Sequence, residues 1–258
     1  MKKGIALLTL AAVLLVSCSQ DDSTNNTSAE GNLISNNQKT TGSSANDLLS
    51  DAAFKSMVIE VVYVQGFEPS AASISNFVSF LNARTYKPEG ITVVKRAIAS
   101  TGKASYTNQD IVAIEDANRT KYNSSDQIAV WAFFADAESA SNTDTGLVLG
   151  TAYRNTSFVI YEKTLQGLSD SPFEPNRSLL ETTVITHEFG HILGLTNFGT
   201  ALQSNHEDTA HPKHCNVESC LMYWSAESGN GIKNMVSGGS APQLDSQCIA
   251  DLRANGGK

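Results

Sequence analysis

HEFGHILGLTN, residues 187–197, decides how the rest of the chain is read. His187 and His191 are four apart, one helical turn, so both imidazoles lie on one face and can reach a single cation. Glu188, beside the first of them, then stands where its carboxylate can take a proton from a water at that cation. Gly194 lets the chain leave the helix through a left-handed conformation and return a later residue to the ion. All five histidines of the chain, His187, His191, His206, His211 and His214, fall within residues 187–214. Two histidines placed on a helix by accident do not account for that clustering.

Working outward, the helix is expected to open near Ser178, where Ser178-Leu179-Leu180-Glu181 fits a capping box, and to run on through Val184, Ile185, Ile192 and Leu195. Upstream, 56–64 (SMVIEVVYV), 90–98 (GITVVKRAI) and 127–135 (QIAVWAFFA) read as strands, the last central because it is apolar on both faces. Helical spacing of Ile74, Phe77, Val78 and Leu81 marks 70–85, and 108–122 reads as a further helix. Strand alternating with helix implies a mainly parallel sheet. Two more strands are expected, 145–153 (TGLVLGTAY) and 157–163 (SFVIYEK), with Arg154-Asn155-Thr156 as the turn between them.

A count of 18 Lys+Arg against 26 Asp+Glu gives a net charge of -8, which argues against nucleic acid as a partner. The opening MKKGIALLTLAAVLLVSCSQ has two lysines followed by an apolar stretch too short to span a bilayer permanently, the pattern of an export signal. Residues 19–47 are mostly Ser, Thr, Asn, Asp and Gly and cannot repay ordering by burial, so they read as a flexible tether. Apart from Cys18, three cysteines remain, so at most one internal pair forms. Cys215 with Cys220, flanking one short loop, is the expected disulfide, and Cys220 with Cys248 the alternative.

The residues themselves leave the third metal ligand open among His206, His211, His214, Cys215, Glu218 and Glu227. The stretch HCNVESCLMY, residues 214–223, resembles the archaemetzincins, zinc peptidases of the metzincin clan whose motif runs HExxHxxGxxHCx4CxM. The spacing from His214 to Met222 is also that of the matrixin pattern, and Tyr223 follows the methionine as it does there, with Trp224 in place of proline. The resemblance breaks between Leu195 and His214, where TNFGTALQSNHEDTAHPK (196–213) stands as an insertion; lengthening a surface loop costs about 0.6 kcal/mol per doubling. Asn197 occupies the family's position for the third ligand, but a neutral amide is a poor zinc donor.

The resemblance implies Zn2+ held by His187, His191 and His214, with His211 as the alternative third ligand, Glu188 as general base and Met222 in an apolar turn beneath the ion. His206 and His211 otherwise read as loop histidines, with a second ion, or hydrogen bonds that orient the loop, as the alternatives. It implies a single metzincin-like α/β (α+β) domain over 48–258: a twisted, mostly parallel sheet with an antiparallel edge strand and an active-site helix in 48–195, and a smaller C-terminal subdomain over 196–258. The substrate would be an extended peptide or protein lying along the edge strand 145–153. Leu15-Val16-Ser17-Cys18 resembles a bacterial lipobox, and the pair Asp21-Asp22 resembles surface-export signals of Bacteroidetes lipoproteins. Residues 1–17 would then be the leader, 18–47 a tether lipidated at Cys18, and the chain a monomer held by lipid at the outer membrane of the cell envelope, with the periplasmic or outer face left open. Two rival readings are a zinc-stabilised surface lipoprotein that binds a protein or glycan without cutting it, and a hydrolase acting on bonds other than peptides.

Overall fold

The computed structural model describes Met1 and residues 33–258 apart from 145, 170, 172, 173, 230, 237 and 238. The expected leader and Cys18 lie outside the described residues. In chain order the elements are α1 (Ala45–Leu49), β1 (Ser56–Val64), α2 (Ala71–Arg84), β2 (Ile91–Ile98), β3 (Ser105–Tyr106), α3 (Asn108–Asn118), β4 (Gln127–Phe134), β5 (Glu138–Ser139), β6 (Gly150–Arg154), β7 (Ser157–Ile160), α4 (Glu162–Gln166), α5 (Arg177–Ile192), α6 (Ile232–Met235) and α7 (Ser246–Ala254). A five-stranded sheet has the order β2-β1-β4-β7-β6; the first three pairings are parallel, and β6 runs antiparallel to β7 at the edge. Among the described residues no helix is long and apolar enough to cross a membrane.

The alternation of β4 explains how one strand serves two cores. Ile128, Val130, Ala132 and Phe134 face the layer that holds α2 and α5, while Trp131 and Phe133 face the layer of α3, and all are buried. Phe189, inside the HExxH stretch, fixes α5 to this sheet. Its ring meets Phe77 of α2 at 5.1 Å and Phe158 of β7 at 6.3 Å, both edge-on, an arrangement favoured by the aromatic quadrupole.

Three expectations need correction. The stretch expected to be a flexible tether packs onto the domain from at least residue 37. Asn37 is fully buried and donates to Asn123 Oδ1, Ala129 O and Thr156 Oγ1, and Ser44 and Ala45 are also buried. Buried side-chain amides thus offset the ordering that composition alone could not. Helix α5 opens one residue before Ser178: Asn176 is its N-cap and accepts from Ser178 N at 2.9 Å. Glu181, freed from capping, instead receives the backbone N–H of Ser70 at the start of α2, at 3.0 Å. Finally, the edge strand begins at Gly150 and not at 145, because residues 147–149 pair with a different part of the chain.

Candidate metal centre

Helix α5 ends at Ile192, and Gly194 follows with φ +74. A β-carbon at Gly194 would lie 2.6 Å from Thr200 N, so both the turn and its close packing require glycine. The chain then runs through the inserted loop and returns with His214 to the face of α5 that carries His187 and His191. The ring centroid of His214 lies 5.4 Å from that of His187 and 5.1 Å from that of His191.

The three rings offer their Nε2 atoms to one point. His187 Nδ1 lies 2.7 Å from Leu221 O and His214 Nδ1 lies 3.2 Å from Pro212 O. With Nδ1–H donating to a carbonyl, each Nε2 keeps its lone pair for a cation. His187 Nε2 and His191 Nε2 are 3.2 Å apart. Two nitrogens each about 2.0–2.1 Å from a tetrahedral zinc stand about 3.4 Å apart, so the spacing suits that ion. Glu188 Oε1 is buried without a hydrogen-bond partner, and His214 Nε2 makes no contact of this kind beyond its 3.3 Å approach to Glu227 Oε1. The donor set and these atoms fit a divalent cation.

Glu188 is fully buried, and this raises its carboxyl well above the usual range; the nearby charge of Glu227 adds to the shift, while an N–H from Ala152 opposes it. Gly150 of β6 makes room for that side chain, since a β-carbon there would come within 2.6 Å of Glu188 Cγ. Burial holds His191 well below the ordinary histidine range, reinforced by His187. Met222 is buried and packs against Gly190 of α5.

His211 is not part of the centre. Its Nδ1 pairs with Asp208 at 2.8 Å and its ring stacks on Trp224 at 4.4 Å, so it organises the loop. Asn197 donates to Glu207, also away from the ion's place. Glu227, among the ligands the sequence left open, lies with the three histidines, all four ligand atoms within 4.8 Å of one another.

The expected Cys215–Cys220 disulfide is absent: Cys215, Cys220 and Cys248 are all free and buried. Cys220 Sγ is 3.6 Å from Cys248 Sγ, where a disulfide needs about 2.05 Å. Cys215 and Cys248 lie instead near His206, which is fully buried, with its Nδ1 3.5 Å from Cys215 Sγ and its Nε2 2.8 Å from Asp251. His206, Cys215, Asp245 and Cys248 bring their ligand atoms within 4.8 Å of one another, a second group able to hold a soft divalent ion. The sequence favours a loop histidine at 206 and offers a second ion only as an alternative. The signal that could have found it was the odd cysteine count beside a spare histidine.

No family model and no curated protein matches the chain. Among solved structures it is similar to the crystal structure of archaemetzincin from Methanopyrus kandleri, with 17% sequence identity and a TM-score of 0.50 over 78% of this chain and 96% of that chain. At that identity the likeness is one of fold: a mixed α/β domain with a mostly parallel sheet and one antiparallel edge strand, as the sequence led us to expect.

Proposed function

We propose that this chain is a zinc-dependent endopeptidase held at a bacterial membrane by lipid on Cys18. The observation that carries the catalytic part is the convergence of His187, His191 and His214 beside the buried Glu188, on a fold similar to that of an archaemetzincin. When bound there, zinc supplies a Lewis acid that polarises a carbonyl and acidifies water. Glu188 takes the proton of the attacking water and passes it to the departing amine. Leu221 O and Pro212 O orient two of the rings. An extended peptide would add itself along the outer edge beside β6. Support for the anchor comes from the sequence before residue 20 alone.

The test is cleavage of unfolded casein by the purified chain with and without chelator, alongside Glu188→Gln. Cleavage that needs the ion and falls by about 10²–10⁴ in the variant, with zinc content unchanged, is expected. A wild type that binds zinc at these histidines and cuts no protein supports the binding-module reading instead.

A further inference from the structure

The segment that follows Met222 does more than cover the site. From the 3-10 turn Trp224–Glu227 the chain runs back across the mouth of the centre, and there Glu227 directs its carboxylate at the three imidazoles. Its Oε2 is 3.6 Å from His187 Nε2 and 3.9 Å from His191 Nε2, and its Oε1 is 3.3 Å from His214 Nε2. Oε2 faces the pair on α5 and Oε1 faces His214, each separation within about half an ångström of the ~3.4 Å edge of a tetrahedral zinc site. The carboxylate therefore stands at the remaining corner, the place that catalytic zinc sites keep open and structural ones fill with protein.

The backbone around Glu227 is held in a way that matters equally. Leu149 N donates to Glu227 O at 3.1 Å and Gly229 N donates to Leu147 O at 3.1 Å, with Val148 and Ser228 paired antiparallel between them. Residues 227–229 thus lie as a short extra strand along the outer edge, just before β6, where a peptide substrate would add itself. Gly229 permits the approach, since a β-carbon there would sit 2.9 Å from Leu147 Cβ.

We infer that Glu227 is a fourth protein ligand to the ion, delivered by a segment of the chain that occupies the substrate's own place, so that the resting centre is closed until a peptide displaces residues 227–229. This rests on the peptidase reading above, yet its two parts can be separated. A carboxylate also suits the charge: three neutral imidazoles leave a divalent cation uncompensated, and the described ion pairs of Glu227 are all with these histidines. The competitor is an intramolecular ligand, so even a modest affinity for the edge is multiplied by its high effective concentration.

The experiment uses the full chain loaded with Co2+ and compares wild type, Glu227→Gln and Gly229→Ala, with circular dichroism confirming that each is folded. Glu227→Gln should change the visible cobalt spectrum, weaken zinc binding at least about tenfold, and raise the affinity for acetohydroxamate, which needs a free coordination position. Gly229→Ala, which keeps the carboxylate but crowds Leu147, should shift the spectrum and hydroxamate binding the same way. Both should cleave casein faster than wild type at saturating zinc. An unchanged spectrum and zinc affinity in Glu227→Gln, or a chain that takes up no ion at these histidines, overturns the ligand assignment. A changed spectrum with slower cleavage in Glu227→Gln overturns the closing role. A changed spectrum with no cleavage by any of the three chains leaves the ligand assignment standing and sinks the peptidase reading.

Discussion

Gly190 and Met222 touch so closely that a β-carbon on the glycine would come within 2.3 Å of the methionine sulfur. Gly190 lies on α5 between His187 and His191, and Met222 follows Leu221, whose carbonyl orients His187. Gly190→Ala must therefore push the methionine turn away from the helix. Overpacking of this kind costs about 1–3 kcal/mol, and here it also disturbs the carbonyl that sets the first ligand. The expected outcome is a lower melting temperature in chelator together with weaker zinc binding. Equal stability and equal affinity would show that the turn does not brace the site.

A buried acid away from the centre sets a pH dependence of its own. Burial lifts the Glu162 carboxyl to about 9 from an ordinary 4.5, and the charge of Glu181 adds to the shift while Arg177 opposes it. Folding therefore holds a proton on Glu162 that the unfolded chain releases. Its contribution to stability is full below the unfolded value of 4.5 and is lost as pH rises through the folded value of about 9. Glu162→Gln should match wild type near about pH 4 and melt at a higher temperature near about pH 8, measured by thermal unfolding across that range. A gap between the two that does not widen with pH counts against this account.

The His206 cluster predicts a second bound ion. Elemental analysis of protein prepared without chelator should give two equivalents of zinc per chain, and His206→Ala should give one. The substitution also strands Asp251, which is fully buried, and breaking a buried pair of this kind costs about 3–5 kcal/mol. A single equivalent in both proteins would mean that the two thiols and the imidazole serve packing alone.

How much of this could be read from the sequence follows from where each signal lies. Strand β1 was legible as a β-branched run buried on both faces, and helix α2 from its helical spacing, with its start marked by Ser70 accepting from Ser73 N. His187, Glu188 and His191 were legible because one helix sets their geometry locally. The cap of α5 was misread because Glu181 has a stronger partner in Ser70, far away in sequence. Residues 37–47 were misread because burial of Asn37 depends on Asn123, Ala129 and Thr156, none of which composition reveals. His206 and Glu227 share that difficulty, since each meets its partners only through the return of a distant segment.

The central claim is that one divalent ion is bound by rings from two distant parts of the chain. Anomalous diffraction at the zinc edge, on crystals of protein never exposed to chelator, tests it most directly. The account predicts a peak about 2.0–2.1 Å from Nε2 of His187, His191 and His214. A peak bound by His187 and His191 with His211 in place of His214, or no peak at α5 at all, would contradict it.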